Sequence, residues 1–288
     1  MLDRVLAQFD LRPLSINKVE DSHSSTVYKC KLSNGEINFI KIPYSKLKYR
    51  REKEAYGILK GRVLIPKLVA DWSGDRECPG AFLLSELKGK PLTTSASPTV
   101  AFQVGVLHAS MHNLQPTSEI KMTGIKNEFP NWSTFIEDQF YNFSIDTKEV
   151  IEEELYKKAS VKFEEMKQRL PSPNGPSFIH MDFRPANIIV EGDRVSGIID
   201  FESVRFGSTE SDFTKLYRDF LSFDSDLFNA YQQGYKSIRP LIDLELVLPF
   251  YLFTDTFNSI GWCKRRGLEA NTLFFEKNLA NLKKMLCN

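Results

Sequence analysis

The segment FIHMDFRPANIIVEGDRVSGIIDFE holds the residues best suited to chemistry. Within it, His180, Asp182 and Asn187 form a His-x-Asp-x4-Asn loop, and Asp200-Phe201 follows thirteen residues after Asn187. Phosphoryl transfer asks for such a set. One carboxylate orients a hydroxyl and takes its proton, while oxygen ligands hold Mg2+ across the phosphates. Asp182, in a loop after an apolar run, suits the base. Asn187 and Asp200, either side of a tight hairpin, can converge on one metal as hard oxygen donors. His180 is better placed to fix the loop backbone than to carry protons. Any one of these residues is common by chance. The order of strand, loop, strand, turn and strand ending in Asp-Phe is what discriminates.

The same chemistry needs a strand lysine for the α- and β-phosphates and a helix glutamate to hold that lysine. Lys41 sits between Ile40 and Ile42 at the end of an apolar strand, where an unpartnered charge is costly. The following helix offers Glu52 and Glu54. Glu54 is the preferred partner, because Glu54-Ala55 leads into the apolar Ile58-Leu59, and Glu52 is the alternative register.

Elements must position these groups. Thr26 to Leu32 alternates as a half-buried strand, Ser33-Asn34-Gly35 supplies turn chemistry, and Ile37 to Ile42 returns as the second arm of a hairpin. Lys46 to Lys60 is rich in helix formers and ends at Gly61. RVLIPKLVADW and AFLLSEL read as further strands. From about Pro98 the pattern turns helical, over Val100–Leu114, Trp132–Phe143 and the charged run Lys148–Arg169. The prolines and glycine of residues 171–176 stop that run. Short strands resume at Ser177–His180, Ile188–Val190 and Val195–Ile199, and the chain from Ser211 is helical again. The order predicts an α+β fold with a strand-rich N-terminal lobe over residues 1–86 and a larger helical lobe over 87–288.

Composition narrows the possible partners. The 288 residues are 42% hydrophobic and 26% charged with net charge +1, as in an ordinary globular protein. Nothing resembles the basic face of a nucleic-acid binder. No stretch reaches the roughly 18 apolar residues of a membrane span, and the first residues do not read as a secretory signal. Cys30, Cys78, Cys263 and Cys287 are scattered without a CxxC pair, which points away from zinc and disulfides and toward reduced thiols in a cytoplasm.

The chain resembles the aminoglycoside phosphotransferase and choline-kinase-like superfamily, relatives of protein kinases, over nearly its whole length. The resemblance rests on Lys41, the RREKEAYGILKG helix, VLIPKLV, FLLSELKGKPL, HASMH ending at His112, both catalytic segments and GSTESDFTKL, with Asp212 as its structural acid. There is no G-x-G-x-x-G, D-F-G or A-P-E of protein kinases and no P-loop. The resemblance implies a two-lobed protein-kinase-like fold, with an antiparallel sheet and one helix in the N-terminal lobe. It also implies ATP or GTP as co-substrate, Mg2+ and a small hydroxyl-bearing acceptor. An aminoglycoside or similar antibiotic leads as that acceptor, ahead of a choline-, homoserine- or sugar-like metabolite. A catalytically inactive nucleotide-binding protein is the alternative of another class.

The phosphate-covering loop then falls at residues 21–26, glycine-free, with Ser24 and Ser25 as phosphate contacts. Main-chain groups of Glu86 and Leu87 would take the base. Arg184 would stabilise the transferring group or form a structural salt bridge. Glu202, in place of the glycine of D-F-G, would support the metal or touch substrate. The helix Leu246–Lys264 carries Tyr251, Asp255, Asn258 and Trp262 on one face, and these are expected against the acceptor.

Overall fold

The computed structural model describes residues 1–20, 25–117 and 122–287. The N-terminal lobe opens with α1 (Leu2–Gln8) and then β1 (Ser15–Lys18), β2 (Thr26–Lys31), β3 (Ile37–Ile42), α2 (Lys46–Leu59), β4 (Leu68–Trp72) and β5 (Ala81–Ser85). The five strands form one antiparallel sheet in the order β1-β2-β3-β5-β4. Two elements exceed the expected set. One is β1, an exposed edge strand. The other is α1, seven residues long and therefore without a strong periodic signal, which places Val5 against Cys30, Ile40 and Leu83. RVLIPKLVADW forms a strand only from Leu68, because Pro66 interrupts the run ahead of it.

α2 begins where Ser45 Oγ accepts the amide of Lys48 and lines its buried face with Tyr49, Glu52, Ala55, Tyr56 and Leu59. That stripe packs on Phe82 of β5, with Tyr49 stacked on the ring at 4.9 Å, and on Phe201 of the second lobe. The three-to-four spacing is that of a helix packed along one side.

The second lobe contains β6 (Lys90–Pro91), α3 (Pro98–His112), α4 (Trp132–Thr147), α5 (Glu153–Lys167), β7 (Ser177–Ile179), β8 (Ile188–Glu191), β9 (Arg194–Ile198), β10 (Arg205–Gly207), α6 (Phe213–Asp219), α7 (Ser225–Lys236), α8 (Leu244–Arg266) and α9 (Thr272–Cys287). The charged run Lys148–Arg169 becomes a shorter helix, since residues 148–152 are spent on the turn out of α4. β8 and β9 form the hairpin between Asn187 and Asp200, with β6 on its edge, while β10 pairs with β7. α3 and α7 lie against each other closely. A Cβ on Gly105 would stand 2.2 Å from the carbonyl of Tyr231, and one on Gly234 would stand 2.0 Å from that of Phe102. Among the described residues no helix is long and apolar enough to cross a membrane. The four cysteines are unpaired.

Candidate active site

The loop after β7 is held by one buried carboxylate. Asp212 Oδ2 accepts the amide of His180 at 2.7 Å, and Oδ1 accepts that of Met181 at 2.6 Å. From α3, His108 and His112 each present Nε2 to the same carboxylate, at 3.4 and 3.3 Å. Their Nδ1 atoms accept the hydroxyls of Tyr231 and Tyr235 on α7. Burial pushes His108 down to about 3 and lowers His112 too, so both rings are neutral donors. Burial alone would raise the carboxyl of Asp212, but the bonds from the two histidines hold it well below the usual range. With this anchor Met181 adopts a left-handed φ of 64°, a conformation costing a non-glycine residue about 1–2 kcal/mol.

His180 itself works as expected, as a brace. Its Nε2 donates to the carbonyl of Ile199 at 3.1 Å, and Nδ1 accepts the amide of Asp182 at 3.3 Å. Asn187 Nδ2 donates to both the carbonyl and Oδ2 of Asp182, at 2.9 and 3.0 Å. The amide of Ile199 donates to the carbonyl of Asn187, which sets Asn187 beside Asp200 across the hairpin.

Asp182 is flanked by two cations. Lys215 Nζ lies 2.6 Å from Oδ1, and Arg184 Nε lies 3.2 Å from Oδ2 without a hydrogen-bonding alignment. Desolvation would raise this carboxyl, yet Lys215 and Arg184 bring it down to about 2. It is an ionised acceptor.

Asp200 also has a left-handed backbone, φ 72°, and its Oδ1 takes Lys41 Nζ at 2.7 Å. Lys41 is buried, and its second partner is Glu52 at 2.9 Å. Burial works against the charge on Lys41, while Asp200 and Glu52 keep its pKa well above the usual value. Burial raises Glu52 to about 7 despite Lys41.

The expected Lys41–Glu54 pair is thus corrected to Lys41–Glu52. Glu52 belongs to the buried stripe of α2. Glu54, two residues on, points to the opposite side and accepts the amides of Thr123, Gly124 and Ile125 at 2.8–3.0 Å. Arg51 adds bonds to the carbonyls of Gly124 and Glu202.

Other expected residues divide. Ser24 lies outside the described residues. Ser25 is buried and donates to Glu202 Oε2 at 2.7 Å, so its hydroxyl is turned to a carboxylate. Glu202 also takes Lys48 at 2.6 Å. Glu86 and Leu87 directly follow β5, with the side chain of Glu86 on Lys29. The stripe on α8 separates along its length. Tyr251 is core, its hydroxyl accepting Trp132 Nε1 at 3.0 Å. Asp255 is ion-paired with Arg218 of α6. Asn258 Oδ1 is buried without a partner, and Trp262 meets Phe274 of α9 edge-on. Lys215 and Arg218 were not anticipated. Their sequence signal is two cations at i,i+3, just after Asp212.

A lysine–glutamate pair in a sheet-rich lobe, facing an Asp-Asn-Asp constellation at the mouth of a helical lobe, defines a phosphotransferase of the kinase type. The sequence model of the APH family, described as the phosphotransferase enzyme family, matches residues 15–241, and the chain belongs to that family. No curated protein sequence is similar enough to match it. Among solved structures, the GDP and kanamycin complex of APH(2″)-IIia is similar at a TM-score of 0.79 and 15% identity, over 100% of this chain and 98% of the other. The macrolide 2′-phosphotransferase apoenzyme from Brachybacterium faecium is similar at 0.70 and 15%, over 98% and 96%. Spectinomycin phosphotransferase with ADP and spectinomycin is similar at 0.70 and 12%, over 99% and 96%.

Proposed function

We propose that this protein transfers the γ-phosphate of ATP or GTP to a hydroxyl of a small molecule, with Asp182 as base. The observation that carries the reading is an unbroken chain of contacts. Lys41 meets Asp200, the hairpin joins Asp200 to Asn187, and Asn187 holds Asp182. A binding protein has no need of an ionised carboxylate oriented by an amide at that point.

In this reading Lys41 takes the α- and β-phosphates, and the main chain of Glu86 and Leu87 takes the base, between lobes divided at residues 86 and 87. Mg2+ fits the donors present. Asn187 spends its amide nitrogen on Asp182, which leaves Oδ1 for a cation, and Asp200 adds carboxylate oxygen. When bound, the ion would neutralise charge on the phosphates. Asp182 orients the acceptor hydroxyl and takes its proton. The guanidinium of Arg184, beside it, offers charge to the transferring group.

The relatives solved with kanamycin or spectinomycin, and the macrolide enzyme, support a hydroxylated antibiotic as acceptor by analogy of fold. The test is acceptor-dependent release of ADP or GDP with Mg2+ across aminoglycosides, macrolides, spectinomycin, amino alcohols and sugars. Release lost in Asp182→Ala is the expected result. Absence of Mg2+-nucleotide binding would overturn the reading.

A further inference from the structure

The charges beside the catalytic aspartate are already matched to one another. Asp182 is paired with Lys215 and Arg184. On the next turn of α6, Arg218 binds Asp219 through two nitrogens, at 2.7 and 2.8 Å, and also reaches across to Asp255 of α8. Three carboxylates therefore face three cations. The Arg218 bridge is substantially shielded, its side chain 18% exposed and that of Asp255 20% exposed. One turn after Asp255, Asn258 Oδ1 is buried and accepts no hydrogen bond from the protein.

A polycationic acceptor needs carboxylates that are not already spent. To use Asp255 or Asp219 here, it would have to break part of the Arg218 bridge and set its own charge beside that guanidinium in a partly desolvated position, which raises the cost of binding. A neutral hydroxylated molecule meets no such obstacle, because it brings no charge to the Arg218 bridge.

We propose that the acceptor of this phosphotransferase is an uncharged polyhydroxylated molecule, and that the Arg218 bridge between Asp219 and Asp255 excludes polycations. The inference deepens the function proposed above and rests on it for the meaning of "acceptor". The selection by charge can be measured without turnover.

The probes are kanamycin and its fully N-acetylated derivative, which keeps the hydroxyls and loses the ammonium charges. Calorimetric titrations would use the full chain in the presence of Mg2+ and a non-hydrolysable nucleotide. Wild type should bind kanamycin no more tightly than the acetylated form. Arg218→Gln, which releases Asp219 and Asp255, should tighten kanamycin by about 10-fold or more, equivalent to about 1.4 kcal/mol, and leave the neutral probe nearly unchanged. Adding Asp255→Asn should remove the gain. If Arg218→Gln fails to fold, Arg218→Lys makes the test, because an ammonium gives up the two-nitrogen bond to Asp219 and so releases the bridge in part. The proposal is overturned if wild type prefers kanamycin by about 10-fold, or if a folded releasing variant gains nothing. Nucleotide binding, measured first in the same samples, separates the two readings. Its absence counts against the phosphotransferase assignment, whereas a polycation preference with nucleotide bound counts against the charge selection alone.

Discussion

Lys41 and Asp200, 159 residues apart in the chain, meet at 2.7 Å across the cleft between the lobes. Each carries a group that the proposed reaction needs elsewhere, the lysine for phosphates and the aspartate for a metal. On the proposed function, Mg2+-nucleotide replaces this ion pair when it binds. Asp200→Ala should abolish the Mg2+-dependent part of nucleotide affinity. Titrating nucleotide with and without Mg2+ checks this, and equal Mg2+ dependence in the variant would remove Asp200 from the metal site.

Asp182→Ala should lower turnover by roughly 10²–10⁴-fold, the usual contribution of a positioned base, with nucleotide affinity nearly intact. The phosphate-facing groups do not depend on Asp182. Paired kinetic and binding measurements distinguish loss of chemistry from loss of substrate, and near-normal turnover would sink the assigned base.

Glu52 and Glu54 make separable predictions. Glu52→Gln should weaken nucleotide binding on the order of 10-fold, as Lys41 loses a charge-assisted partner. Glu54→Ala should leave nucleotide affinity unchanged and cost about 1–3 kcal/mol of stability, because it strips acceptors from the amides of residues 123–125. Thermal melts beside nucleotide titrations read both. The reverse pattern would restore Glu54 as the partner of Lys41.

Glu210 should make stability depend on pH. Burial raises its carboxyl to about 7 from the usual 4.5, against the bond from the Asn174 amide. A raised folded pKa favours the protonated form. The resulting stability is complete below about pH 4.5 and is lost as pH rises through about 7, a contribution of up to about 3 kcal/mol. Glu210→Gln should remove this component, so its melting temperature should fall less than that of wild type between pH 5 and pH 8. Parallel pH dependences would show that Glu210 ionises normally.

The grouping of Asp182, Asn187 and Asp200 is legible because a loop between short strands fixes their order and brings them together. Lys41 is legible as a charge embedded in an apolar strand. Its partner is less legible. Two glutamates two positions apart on one helix face opposite ways, and the apolar pair Ile58-Leu59 points to the wrong one. The spacing Tyr49–Glu52–Ala55/Tyr56–Leu59 carries the better signal, since it puts Glu52 inside the buried stripe. The bond between Ser25 and Glu202 spans 177 residues and leaves no local trace. The α8 stripe looked acidic because periodicity gives the face of Asp255 but says nothing about Arg218 arriving from another helix.

The anchoring of the loop after β7 at Asp212 bears on its dynamics. His180 and Met181 open the loop that carries Asp182, yet their amides end on a carboxylate enclosed by α3 and α7 through His108, His112, Tyr231 and Tyr235. Those amides cannot open by local fraying, because freeing them would strand a buried anion. In hydrogen exchange they should therefore be among the slowest in the molecule, exchanging with the helical core and not with the surface loops around them.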